Sequence, residues 1–221
     1  MNKKCPNCSL SNFTTTENCL RCGFDLLNIE VANLPKPQVN KGVPTVLRRA
    51  VICFLTVVFV LFGFYLSLIG SANRLVYEEK KTVERAIKII EEKGFSKEAF
   101  FLNYLTAFRR DDNWLNASVV KDTAYAATNF PFEIITIYPE FFTFTHDDTE
   151  RASILLHEAQ HLLGADENEA YSFVWKNRNK LGYSDEKYRM SEIYNKVGEQ
   201  TKEYAPEIFV CPDKEYGDCT R

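Results

Sequence analysis

The chain has 221 residues and 45% hydrophobic content, enough for one ordinary domain plus accessories, and this composition excludes wholesale disorder. Its net charge of −3 argues against generic nucleic-acid binding, which needs a strong basic excess. The charge is unevenly spread: residues 1–49 carry 7 Lys/Arg and 3 Asp/Glu, residues 50–72 carry none, and residues 73–221 carry 20 Lys/Arg and 27 Asp/Glu. Three regimes of charge imply a multidomain chain.

Residues 1–27 hold CPNC, ten further residues, and CLRCG. Two Cys-x-x-Cys knuckles at this spacing bring four thiolates around one Zn²⁺. So short a unit buries too little apolar surface to fold unaided, so a metal supplies its folding energy. The stretch resembles the zinc ribbons. That resemblance implies a structural zinc on Cys5, Cys8, Cys19 and Cys22 and says little about activity. Residues 28–46, with three prolines, read as a linker.

Residues 47–72 read as a transmembrane helix. The 23 residues from Ala50 to Ala72 are free of charge, enough to cross a hydrocarbon core of about 30 Å. Arg48 and Arg49 abut one end, and the Lys/Arg bias places the N-terminal side in the cytoplasm. Residues 73–94 read as a juxtamembrane amphipathic helix, with Val76, Val83, Ile87 and Ile90 on one face and Gly94 as its stop.

Residues 95–221 form the remaining domain. Its pattern predicts a helix from Ser96 with Phe108 still following, and a strand over 133–138 (EIITIY) stopped by Pro139. Further helices are expected over 147–163, from Asp166 to Leu181, and from Ser184 to Tyr204. The expected class is mainly α (α+β) with a short sheet.

The chemistry concentrates in His157-Glu158-Ala159-Gln160-His161. Histidines four apart on a helix share a face and can reach one metal ion. Glu158, beside the first, is placed to act as general base toward a water on that metal. A catalytic zinc takes three protein ligands, so a third is needed. Glu167 and Glu169 both qualify. Glu167 shares a helical face with Ala170, Tyr171, Val174 and Leu181 and is preferred. Glu169 suits a helix cap with Asp166. His146, Asp111, Asp112 and Asp122 read as solvated loop residues, and Trp114 and Trp175 as core.

HEAQHLLGADE is similar to the zincin metallopeptidase signature, over about residues 130–182. It is metzincin-like, with Glu167 where that family has its third histidine, and also like a compact gluzincin, with Glu169 before Ala170. The resemblance implies that an edge strand beside the metal helix binds substrate backbone by strand addition, with residues 133–138 as the candidate. It also implies an oxyanion-stabilising phenol, Tyr171 or Tyr183.

The resulting expectation is a membrane-anchored zinc metallopeptidase with one catalytic and one structural zinc, acting on a peptide or protein substrate. The rival is an inactive membrane-anchored zinc-binding sensor or scaffold whose ribbon binds a partner. The topology puts residues 73–221 outside the cytoplasm, where Cys211 and Cys219 would pair as a disulfide.

Overall fold

The computed structural model describes residues 2–27, 45–118, 124–129, 132–211 and 219–220. Asp122 and the expected linker lie outside these residues, apart from Thr45 and Val46, which begin a helix. The chain divides into two compact units, Met1–Cys53 and Phe54–Arg221, each described by itself.

In the first unit, β1 (Asn2–Lys4) pairs antiparallel with β2 (Ser11–Phe13). Among the described residues there, the buried hydrophobic cluster is Cys5, Cys19 and Leu26, with Cys8 and Leu10 against it. A core this small is far below what a metal-free domain needs. Helix α1 (Thr45–Ser71) crosses the boundary between the units. Its 27 residues have a mean hydropathy of 2.6 over the most apolar window, so it is long and apolar enough to cross a membrane.

The second unit is built on α5 (Asp148–Leu162), whose Leu155, Leu156 and Ala159 are fully buried. The strongly amphipathic α2 (Tyr77–Glu92) buries Val83, Ala86, Ile87 and Ile90 in the same core. It belongs to the domain rather than forming a separate juxtamembrane element. Helix α6 (Glu167–Leu181) packs on α5, and α8 (Glu192–Tyr204) packs on α6. The expected helix over 184–204 is split into α7 (Asp185–Tyr188) and α8, because Ser191 caps a new helix by accepting from the Tyr194 amide.

The sheet has three strands in the order β3-β5-β4. Strand β5 (Ile134–Ile137) is parallel to β3 (Ala107–Arg109) and antiparallel to β4 (Ala126–Asn129). Every β5 residue is buried, so the run read as an edge strand is the central one. The edge beside α5 is β4. The helix expected from Ser96 also stops early. It comprises α3 (Ser96–Phe100) and one wider turn, Phe101–Leu105, before Phe108 enters β3. A short α4 (Pro139–Thr143) then leads to α5.

Two residue classes differ from expectation. Trp175 is a core residue, but Trp114 is 49% exposed. Asp111 accepts from the Asn73 side chain at 2.6 Å, and Asp112 accepts from the Tyr138 hydroxyl at 2.6 Å. Neither aspartate is merely solvated. His146 is exposed, as read.

The start of α5 is fixed by Asp147, whose carboxylate accepts from the Thr149 and Glu150 amides, the Lys187 ammonium and the Tyr188 hydroxyl. Burial raises its pKa, but Tyr188, Lys187 and the Glu150 amide outweigh that and hold it below the usual value. A depressed folded-state pKa contributes stability above the unfolded value of about 4, lost as pH falls through the folded value. Asp147→Ala is expected to destabilise the chain by about 1–2 kcal/mol at neutral pH, as for other lost N-caps. In denaturant unfolding the gap to wild type should close as pH falls below about 4. An unchanged unfolding midpoint at neutral pH would contradict this role.

Candidate metal centres

The ribbon brings its four thiols together on two knuckles. The Sγ atoms of Cys5 and Cys22 lie 3.6 Å apart, and those of Cys8 and Cys19 lie 3.5 Å apart. All four fall within 4.8 Å of one another. Tetrahedral zinc with Zn–S near 2.3 Å places neighbouring sulfurs about 3.8 Å apart, so the set fits one such ion. Gly23, at φ +71°, takes the left-handed turn after the second knuckle.

Burial disfavours a charged Cys19. The backbone amides of Arg21 and Cys22 and the side chains of Cys8 and Asn12 outweigh it and lower its pKa to about 6. The Leu10 amide favours a Cys8 thiolate, but burial and the neighbouring thiols push Cys8 up to about 12. Four thiolates resist ionising together, and a cation among them removes that repulsion. Sequence reasoning missed Asn12. It is buried, donates to the Leu10 carbonyl and the Cys19 sulfur, and accepts from the Leu20 amide. It thereby ties the second strand to the second knuckle. A lone polar residue in a tripeptide strand gives no signal of that role.

The second cluster lies on α5 and the start of α6. His157 Nε2 and His161 Nε2 are 3.1 Å apart. The Glu167 carboxylate stands 3.4 Å from the first and 3.5 Å from the second. With Zn–N and Zn–O near 2.0–2.1 Å, a tetrahedron has edges of about 3.3 Å, so the three donors fit three of its corners. Glu169 is turned to other work. Its carboxylate accepts from the Asp166 amide at 3.3 Å while Asp166 accepts from the Glu169 amide at 2.9 Å, a reciprocal cap on α6.

The turn between the helices makes this geometry. Gly164, at φ +89°, reverses the chain, and the Ala165 amide bonds back to the Gln160 carbonyl at 3.0 Å. The Ala165 carbonyl then lies 3.0 Å from His161 Nδ1. A proton on Nδ1 donated to that carbonyl leaves the Nε2 lone pair for a ligand. Burial opposes a charge on His161, but the Glu167 carboxylate, the Ala165 carbonyl and Glu158 outweigh it and raise its pKa to about 9. His157 and then His161 hold the Glu167 carboxyl well below the usual carboxylate range. The Glu167 carboxylate thus lies within ion-pair distance of both imidazoles.

Glu158 is buried in the same cleft, and its Oε2 accepts from the Thr128 hydroxyl at 2.6 Å. Thr128 belongs to the edge strand β4, so the strand and the carboxylate are fixed to each other. AATN carries little strand signal, because Thr128 is its one β-branched residue and alanine and asparagine are depleted in strands. The cleft has a volume of about 520 Å³ and is walled by β4, α5, the Gly164 turn, Tyr171 and α8. The Tyr171 ring lies 4.3 Å from the His157 ring. Burial raises the Tyr171 pKa, followed by the charges of Glu167 and Glu158, so its phenol stays protonated. Tyr183 is fully buried against Tyr188 and Tyr194 and does not line the cleft.

Cys211 and Cys219 are joined as a disulfide, with Cα atoms 5.4 Å apart, while Cys5, Cys8, Cys19, Cys22 and Cys53 are free thiols. Comparison with known proteins gives no match, whether to a family, a curated protein or a solved structure, so a functional reading rests on the site itself.

The two glutamates can be separated by zinc competition against a chelator, in a Cys5→Ser/Cys8→Ser background that removes the ribbon site. Glu167→Ala is expected to weaken binding by about a hundredfold or more, the upper range for loss of a group that organises a metal site. Glu169→Ala should change it little. Release of zinc by Glu169→Ala alone would reverse the assignment.

Proposed function

We propose that the chain is a membrane-anchored zinc metallohydrolase, a peptidase with one catalytic and one structural zinc. His157, His161 and Glu167 are the catalytic ligands, and Cys5, Cys8, Cys19 and Cys22 the structural ones. The observation that carries this reading is the Glu158 carboxylate, buried beside the three-donor cluster and bonded to the edge strand that walls its cleft. An inactive zinc-binding scaffold would have no physical need for a buried acid at that point.

A zinc ion held there supplies Lewis acidity toward a carbonyl and acidifies a water in the cleft. The rest falls to the protein. Extended substrate backbone pairs along the free side of β4, which sets the scissile carbonyl over the cluster. Glu158, oriented through Oε2 by Thr128, takes the proton of the attacking water and returns it to the leaving amine. The neutral Tyr171 phenol donates to the developing oxyanion. His161 is kept in one tautomer by the Ala165 carbonyl.

The charge bias places the ribbon in the cytoplasm and the hydrolase outside it. The cysteines support the same topology, with free thiols in the ribbon and a disulfide near the C-terminus.

Glu158→Gln preserves shape and removes the base. The variant should retain wild-type zinc content while kcat for peptide hydrolysis falls by about 10²–10⁴-fold, the usual share of general acid–base catalysis. Wild-type turnover in the zinc-loaded variant would rule Glu158 out as the base.

A further inference from the structure

The second unit does not hang freely from its membrane helix. The Phe64 ring in α1 packs edge-on against Trp114 with centroids 5.4 Å apart, and against Phe132 at 5.2 Å. The Trp114 indole donates to Ser67 Oγ at 3.0 Å, and its amide to Ser71 Oγ at 3.3 Å. Arg109 donates to the Ile69 carbonyl at 3.2 Å, and Leu68 is fully buried. The last two turns of α1 are thus fastened to the folded domain.

Helix length decides where this contact falls. Phe64 follows Arg49 by 15 residues, about 22 Å of helix, whereas the hydrocarbon core is about 30 Å thick. With Arg49 at one boundary, Phe64 remains roughly 8 Å inside the other. Rings touching Phe64 therefore sit at or below the headgroups. Trp114 is 49% exposed and Leu115 39% exposed. An exposed tryptophan at this depth has the amphipathic ring that membrane interfaces favour.

The cleft is close to that contact. The Phe132 amide donates to the Asn129 carbonyl at 2.8 Å, a bond that holds the two Cα atoms within about 7 Å. Thr128 is one strand step of about 3.3 Å beyond, and it holds Glu158. Glu158 is therefore linked to the Phe64–Phe132 contact through a turn, one strand step and one side-chain hydrogen bond.

We propose that the catalytic unit is seated in the membrane interface through Trp114 and Phe132, and that its substrate is a polypeptide segment at the surface of the same bilayer. The substrate class rests on the hydrolase reading; the seating does not. A chain pairing along β4 toward Asn129 runs toward the lipid, so a segment just outside its own anchor meets the cleft at the right height.

Two measurements on the full chain in phosphatidylcholine vesicles test this. Spin-labelled acyl chains should quench tryptophan fluorescence in the wild type, more from shallow labels than deep ones. That quenching should vanish in Trp114→Phe, which leaves only the buried Trp175. Quenching of Trp114 by aqueous acrylamide but not by lipid labels would overturn the seating. For the substrate, fluorogenic peptides of randomised sequence are anchored by a palmitoyl chain, either directly or through a long Gly/Ser spacer. Both are equally concentrated at the membrane, yet the directly anchored set should be cleaved about tenfold faster, a gain in effective concentration at the cleft. Equal rates, or preference for the spaced set, would overturn the substrate class. Cleavage of neither set by the zinc-loaded wild type would overturn the hydrolase reading and the substrate class together, with the seating still decided by the quenching.

Discussion

His157, His161 and Glu167 present their ligand atoms within 3.5 Å of one another, and the architecture of the second unit follows from keeping them there. One helical turn separates the histidines, so a single straight segment of α5 sets their spacing. The carboxylate must come from another element, and it arrives only because Gly164 reverses the chain within a few residues. Each end of that path is pinned. Asp147 caps α5, the Ala165 amide and carbonyl bond back to it, and Asp166 with Glu169 caps α6. Burial of Leu155 and Leu156 holds α5 against α2, and truncating such side chains typically costs about 2–5 kcal/mol. Helix α5 is thus among the most constrained parts of the domain, which suits side chains that must hold a fixed geometry.

Local patterns made much of this legible. The cysteine spacing, the uncharged run from Ala50 to Ala72, and the HEAQH helix each depend on residues near in sequence, and the structure places them as read. Glu167 shares a helical face with Ala170, Tyr171 and Val174, while the Glu169 carboxylate accepts from the Asp166 amide in the cap. The sheet was less legible. Strands β3 and β4 have three and four residues and no alternation, so only their pairing with β5 makes them strands. Without β4 in view, the isoleucine-rich β5 looked like the edge, although a run buried on both faces belongs in the middle. Asn12 and Thr128 were invisible for the same reason, since both act across the fold. Large aromatics such as Trp114 are usually core residues. The actual neighbours of Trp114 are on α1, a contact no local pattern records.

Six of the seven cysteines fall on either side of the long apolar helix. Four free thiols converge where a metal would hold them, and the one disulfide lies at the far end of the chain. The ribbon needs a reducing environment to keep its thiols available, and the Cys211–Cys219 bond persists in an oxidising one. On the proposed topology, a single span between them would satisfy both conditions. The same helix, through Phe64 and Ser67, also packs on the folded domain. Phe64, Phe132, Asn129, Thr128 and Glu158 thus link that helix to the candidate site in turn.

The central claim is that the cluster on α5 and α6 holds a metal through two imidazoles and a carboxylate. Zinc K-edge X-ray absorption on the full chain carrying Cys5→Ser and Cys8→Ser tests it most directly. One zinc per chain is predicted, with a first shell of nitrogen and oxygen at about 2.0–2.1 Å and no sulfur near 2.3 Å. It should disappear when His157→Ala is added. A chain that binds no zinc once the ribbon is disabled, or binds it through sulfur, would contradict the account.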